Sequence, residues 1–369
     1  MFGQAGVERA HSMQITLGID RADTPERLVE LAEAGANEFF AGFIPCEWTE
    51  RFGWEVSLNR RENGPQYQFT DYGQLRETIE AVHQLGRRVA LTLNAHQYCR
   101  ERYDLLRQIV ERIEVFEPDS YIVADPALML EMRNWGIQRT LHLSTGGGCF
   151  NPDAIRYFYE RFGVRRVVVP RKNTIREMGR LVEELSDIPV ELEAMVMQSR
   201  CPFNDEFCFT LHSFSFSSFC NTTNEVPTVL RRFPPDWKDR LLGMSAEGNT
   251  QQRPGSKLDQ FMKDVAYDKE IPFGKKAVMD DGEEGVHPKI AGMFFMNCGL
   301  CAIQPLKKAG IAVLKLPLRG EPQLKLDFLR LVRHVMEHDT ITRDECRALI
   351  QSPAYCRQPD SCYYHIPEG

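Results

Sequence analysis

No apolar run in this chain approaches the roughly 20 residues that a membrane-spanning helix needs, and the first residues, MFGQAGVERAHSMQ, lack the charged-then-apolar order of a secretory signal. An excess of charge is missing as well. The formal net charge of −7 over 369 residues gives no global reason to expect binding to DNA or to an anionic membrane surface. There is no HExxH zinc-protease helix, no GxSxG nucleophile elbow, no GxxxxGK[ST] phosphate loop and no CxxxCxxC triplet of the radical S-adenosylmethionine type. These absences predict a cytoplasmic protein with no membrane span and no DNA partner, whose chemistry uses none of those four devices.

Cysteine is what the chain has in quantity. Disulfides are rare in a reducing compartment, so eleven cysteines without a secretory signal point to metal ligands or redox groups. Three of them, Cys201, Cys208 and Cys220, follow the apolar stretch PVELEAMVM within the segment EAMVMQSRCPFNDEFCFTLHSFSFSSFC. Thiolates bind soft metals, and iron–sulfur clusters are usually held by four of them. Cys298 and Cys301, in FMNCGLC far downstream, are candidates for the fourth. Buried cysteines also serve as small hydrophobes, but here the three are interleaved with Arg200, Asn204, Asp205 and Glu206. Cys356 and Cys362 make a further pair, read either as a second metal site or as incidental.

From Gln14 onward short β-branched runs alternate with amphipathic stretches. Strands are expected at 15–19, 38–42, 89–94, 120–124, 140–144, 166–170, 190–196 and 312–316, and helices at 25–34, 72–85, 101–116, 127–135, 153–162 and 175–185. Thr24–Pro25 and Asn151–Pro152 read as N-cap and first-turn pairs, and Gly35, Gly86, Gly136 and Gly163 as helix stops. Eight strands separated by helices predict an α/β fold of the closed (β/α)8, TIM-type kind. The expected organisation is an N-terminal extension at 1–13 and a single barrel domain at 14–369, with an insertion at 221–290 and C-terminal helices and tail at 323–369. Helices are expected in that tail over 324–338 and 342–350, Thr342 and Glu345 forming a capping box.

Barrels of this type carry their active sites on the loops after the strands. Position therefore nominates Asp20, Arg60, Arg61, Asn94, His96, Asp125, His142, Ser144, Arg171 and Lys172. Each has a plainer reading: Asp125 before Pro126 as a helix cap, His142 as a residue pointing into the barrel, Lys172 as a solvated charge. The run Gly146–Gly148 would let a backbone approach a phosphate or substrate, although it lacks a dinucleotide fingerprint's spacing.

The segment Glu193–Cys208 resembles the signature of the collagenase-like peptidase family, peptidase family U-32, which runs Glu-x-Phe-Val-x-Gly-x-x-Cys, six residues, Cys. Glu193, Val196, Cys201 and Cys208 fall in register, while Met195 and Gln198 depart from the pattern. TPERLVELAEAGANEFFAGF, LRETIEAVHQLGRRVALTLN and LHLSTGGGCFNPDAIRYFYERFGVRRVVVPR resemble earlier units of the same family. FMNCGLCAIQPLKKAGIAVLKLPLRG resembles its last cysteine segment, with Cys301 at the fourth ligand position, Cys298 as a substitute should the register slip, and Arg319 at the strand end.

The resemblance implies a barrel with a [4Fe–4S] cluster on Cys201, Cys208, Cys220 and Cys301. It also implies oxygen-independent hydroxylation of an aromatic quinone precursor or of an RNA base, with a paralogous family subunit as an implied heterodimer partner. Arg60, Arg61, Arg171 and Arg319 are then candidates to clamp the carboxylates of an oxygen donor, or else to bridge loops. Glu193, Asn94 and His142 are the catalytic candidates. A collagenase-like peptidase and a non-catalytic, cluster-bearing partner subunit are the alternatives.

Overall fold

The computed structural model describes residues 13–54, 56, 58–60, 67–197, 201, 204–208, 297–320, 322–350, 356, 362–364 and 366. Eight parallel strands close into a barrel in sequence order, β1 pairing with β2 on one side and β8 on the other. They are β1 (Gln14–Ile19), β2 (Glu38–Gly42), β3 (Arg88–Leu93), β4 (Ser120–Val123), β5 (Thr140–Leu143), β6 (Val164–Val168), β7 (Glu191–Met195) and β8 (Val313–Leu316). Each expected strand is found within two residues at either end. The largest shift is β6, because Gly163 ends the preceding helix in the left-handed region (φ 71) and the strand starts at once.

Around the barrel run α1 (Pro25–Glu33), α2 (Cys46–Phe52), α3 (Tyr72–Gln84), α4 (Tyr103–Glu114), α5 (Pro126–Asn134), α6 (Pro152–Phe162), α7 (Ile175–Glu184) and α8 (Ile303–Lys308). The chain continues through α9 (Pro322–Glu337) and α10 (Arg343–Ile350). The caps are where the sequence puts them. Thr24 Oγ1 accepts from Arg27 N at 3.3 Å and Asn151 Oδ1 from Ala154 N at 2.8 Å. Thr342 and Glu345 form the reciprocal pair that starts α10. Helices α2 and α8 are not anticipated by periodicity: at seven and six residues they are too short to show one. Pro305 is tolerated in α8 because it lies in the first turn, where backbone N–H groups have no intrahelical partner.

Strand residues alternate between two very different surroundings. The set including Ile15, Leu17, Phe39, Leu91, Val123 and Leu143 faces the helices in one large apolar core. Each fully buried side chain of that size stabilises by about 1.5–3 kcal/mol relative to exposure. The opposite set faces the barrel lumen and is polar at one level: Thr16, Glu38, His142, Arg166, Glu193 and Lys315 are all buried. Arg166 Nη1 of β6 donates to Glu38 Oε1 of β2 at 2.6 Å. These strands are not neighbours, so the pair crosses the lumen. Two residues further along, Phe40, Ala90 and Ile122 make a small apolar layer. Lys315 Nζ lies 3.9 Å from the centre of the Phe40 ring, so this layer separates the charged interior from the mouth above it.

Candidate functional site at the barrel mouth

The loops after the strands meet at Asp205, just past the middle of the Cys201–Cys208 segment that leaves β7. Arg171, on the β6 loop, donates from Nε to Asp205 Oδ2 at 2.6 Å and from Nη2 to Oδ1. Arg60, on the β2 loop, places Nη1 3.4 Å from Asp205 Oδ1. The backbone N of Arg60 in turn donates to Asn94 Oδ1 at 3.1 Å, and Asn94 Nδ2 donates to Ser144 Oγ at 3.1 Å. The carboxylate thus ties the loops of β2 and β6 to that of β7, and Asn94 joins the loops of β3 and β5 to that of β2. Burial by itself would raise the Asp205 pKa. The charge and hydrogen bonds of Arg171, aided by Arg60, outweigh it and hold the carboxyl below its ordinary range.

Arg60 and Arg171 therefore bridge barrel loops, the alternative to clamping a bound molecule's carboxylates, through the protein's own Asp205. Arg319 turns down into the mouth, where Nη1 donates to Asn59 Oδ1 at 3.4 Å and Thr92 Oγ1 at 3.5 Å. Its guanidinium carbon is 5.8 Å from the Phe40 ring centre. Arg61 lies outside the described residues.

Three buried polar atoms beside this hub have no partner among the described residues: Arg60 Nε, His96 Nε2 and Glu206 Oε1. Leaving such a group unsatisfied costs on the order of 1–3 kcal/mol, which a bound molecule can recover. Burial first, and then the charge of Arg60, lower the His96 pKa to about 4, so its imidazole is neutral at physiological pH. Burial, with some repulsion from Asp205, raises that of Glu206. The run Gly146–Gly148 has a packing explanation. A Cβ on Gly146 would sit 3.2 Å from His96 Cε1, one on Gly148 2.9 Å from Glu206 Cβ, and one on Gly147 2.9 Å from Leu143 Cγ. The glycines make room for the site's own side chains.

Cys201 and Cys208 flank Asp205, both half-buried, and Cys201 shares a side-chain hydrogen bond with it. Cys298 pairs through its backbone with Met197, just upstream of the same loop. Cys301 follows one turn later in the Leu300–Ala302 3-10 turn. Its thiol accepts a hydrogen bond from Cys346 on α10, which lowers the Cys301 pKa and raises that of Cys346. Cys220 and the expected insertion at 221–290 lie outside the described residues. Thiols such as these are ligands for soft metals.

Two of the three catalytic candidates lie deeper. Ligand atoms of Glu38, His142 and Glu193 fall within 4.8 Å of one another. All four carboxylate oxygens are nevertheless engaged: Glu193 by Lys315 at 2.6 Å and Arg166 at 3.3 Å, Glu38 by Arg166 at 2.6 Å and Arg88 at 3.4 Å. Arginine and lysine stand where a metal ion would. Burial, then the charges of Arg166, Lys315 and Arg88, push the His142 pKa well down.

The plainer reading holds for Asp125, which caps α5 through Ala127 N at 2.9 Å. Asp20 accepts from Lys325 Nζ at 2.8 Å and Gly320 N at 2.6 Å. Sequence reasoning missed Asn59, which exchanges side-chain hydrogen bonds with the buried Gln68 at 3.0 and 3.1 Å, and the pivotal place of Asp205. Only the polar residues interspersed among the cysteines hinted at the last.

Among the described residues no helix is long and apolar enough to cross a membrane. The chain is similar to the tRNA hydroxylation protein P of Helicobacter pylori strain J99, at 28% identity over 167 residues, 45% of this chain and 35% of that protein. It is likewise similar to the tRNA hydroxylation protein P of Haemophilus influenzae, at 24% identity over 179 residues, 45% of this chain and 38% of the relative. Each match spans little more than a third of the relative's length. A solved U32 peptidase structure aligns over 51% of this chain and 71% of its own, with 15% identity and a TM-score of 0.36. The model described as peptidase family U32 matches residues 23–218, from the start of α1 through the β7 cysteine loop and over more than half of the sequence, and this chain therefore belongs to peptidase family U32.

Proposed function

We propose that this protein takes part in oxygen-independent hydroxylation of an RNA base, its barrel mouth being the base-binding site. The observation that carries the reading is the group of atoms around Asp205 with no partner among the described residues: Arg60 Nε as donor, with Glu206 Oε1 and the neutral His96 Nε2 as acceptors. A donor together with acceptors at one mouth suits the amide-like edge of a nucleobase. The names of the similar tRNA hydroxylation proteins point to the same substrate class.

Cys201, Cys208, Cys220 and a cysteine of the Cys298–Cys301 turn, Cys301 in the family's register, would hold a [4Fe–4S] cluster. When bound, such a cluster supplies electron transfer or, at an iron with a labile ligand, Lewis acidity. Asp205 sets the loop that carries the first two thiols, and Arg171 and Arg60 set Asp205. Arg319 brings positive charge to the mouth from the β8 side, where it would attract a phosphate or carboxylate.

The test compares nucleosides and quinone intermediates by mass spectrometry in cells with and without the gene, complemented by wild type, Cys201→Ser or Glu206→Gln. Loss of one hydroxylated nucleoside, restored by wild type alone, is the expected result. An unchanged nucleoside profile with loss of a hydroxylated quinone precursor would move the substrate to the small aromatic class.

A further inference from the structure

A second group of thiols lies away from Asp205, where the chain's end returns to the barrel. Tyr363 N donates to Cys298 O at 2.7 Å, and Tyr364 Oη donates to Met195 O at 2.7 Å. Tyr363 is fully buried, its hydroxyl 3.4 Å from Met195 Sδ. Cys362 pairs in parallel with Cys298. These contacts dock the tail against the end of β7, and docking brings its cysteines to those of the turn and of α10.

The result is a pocket lined by Cys298, Cys301, Cys346, Cys356 and Cys362. All five are thiols with no disulfide, and Cys301 is the common neighbour of Cys346, Cys356 and Cys362. Arg343 and Arg347 line the same pocket, as suits a centre made of thiolates. Apolar packing alone asks nothing of cysteine that alanine or valine would not supply. Here the turn delivers two, and α10 and two points of the tail one each.

We propose that Cys301, Cys346, Cys356 and Cys362 form a tetrathiolate centre for a soft metal, distinct from any cluster on Cys201 and Cys208. Tetrahedral sulfur sites take zinc or iron–sulfur clusters, and four thiolates are the chemistry the two share. Among the described residues no three of these sulfurs stand within 4.8 Å of one another. A single ion, with metal–sulfur bonds of about 2.3 Å, would draw them together by side-chain rotation, whereas a cluster would accept a wider spacing. The assignment takes Cys301 for the tail and leaves Cys298, whose backbone pairs with Met197, as the turn's thiol for the mouth. The centre would pin the tail as a metal pins other small folded units, its binding free energy becoming folding free energy.

Full-length protein, purified without oxygen, is assayed for zinc, iron and sulfide per chain and by absorption spectrum. Wild type is compared with the double variants Cys356→Ser/Cys362→Ser and Cys201→Ser/Cys208→Ser. The tail variant should lose one centre, either a zinc equivalent or the iron and sulfide of one cluster, and keep whatever the loop variant loses. The loop variant should show the converse, so failure of the mouth cluster and failure of the tail centre read differently. Unchanged metal content in the tail variant overturns the proposal.

Should the double variant unfold, wild type treated with a strong chelator serves instead. Alkylation of Cys301, Cys346, Cys356 and Cys362 should then rise several-fold, with that of the buried Cys149 unchanged. Equal alkylation before and after chelation, or a Cys301–Cys346 disulfide in wild type as purified without oxygen, would refute the centre.

Discussion

Asp205→Asn isolates the contact on which the mouth depends. The substitution keeps shape and removes charge, leaving Arg171 and Arg60 without the carboxylate that draws them together. Side-chain exposures are 2% for Asp205, 16% for Arg171 and 10% for Arg60, so solvent screens these pairs little. Breaking one partner of a buried pair costs about 3–5 kcal/mol, because a charge is left uncompensated. The asparagine amide also turns a donor toward one guanidinium, which can only donate. Urea unfolding should therefore show a loss of about 3–5 kcal/mol if the loop unfolds with the barrel. If the loop opens on its own, the global loss will be smaller and the effect will appear as faster alkylation of Cys201 and Cys208 in native protein. Arg171→Lys, which keeps the charge but loses the two-pronged geometry, should lie between wild type and Asp205→Asn. Wild-type stability together with wild-type thiol reactivity in Asp205→Asn would refute the claim that this carboxylate holds the cysteine loop.

Three further outcomes follow from the same geometry. Arg166→Met should cost about 3–5 kcal/mol by thermal or urea unfolding, since Glu38 and Glu193 lose their shared cation inside the lumen; adding Glu38→Gln should recover part of it. His96 titrates at about 4 in the folded protein against about 6.5 unfolded, so the unfolded chain binds the proton first and stability falls as pH drops through that window. Wild type should lose up to about 3 kcal/mol between pH 7 and pH 4 that His96→Gln retains, measured by urea midpoints. Gly147→Ala puts a methyl group against Leu143 and should cost about 1–3 kcal/mol of stability, whereas Gly136→Ala, with open space around it but a φ of +86, should cost only its backbone strain of about 1 kcal/mol.

The barrel was legible in the amino-acid order because its two strongest signals are local. Alternation along a strand and threefold-to-fourfold spacing along a helix are set by backbone geometry, and caps such as Thr24 and Asn151 act within one turn. That alternation names two faces of each strand without saying which is the lumen. Glu38, His142, Arg166, Glu193 and Lys315 read as isolated polar residues in apolar strands, and only closure of the ring brings Arg166 within 2.6 Å of Glu38 across 128 positions of sequence.

The mouth divides in the same way. Rules of chain topology place functional loops at the strand ends, so Arg60, Asn94, His96 and Arg171 could be named from position. That Arg60 and Arg171 converge on Asp205 depends on loop paths which no local rule fixes. The cysteines show the division most clearly. Their number and the spacing of Cys201 and Cys208 are written in the chain, but the company Cys301 keeps with Cys346, Cys356 and Cys362 comes from the tail folding back onto β7. Sequence determines what short stretches of backbone prefer and which side chains can ligate. Which of those side chains meet is decided by long-range packing, because distance along a chain says nothing about distance across a closed barrel.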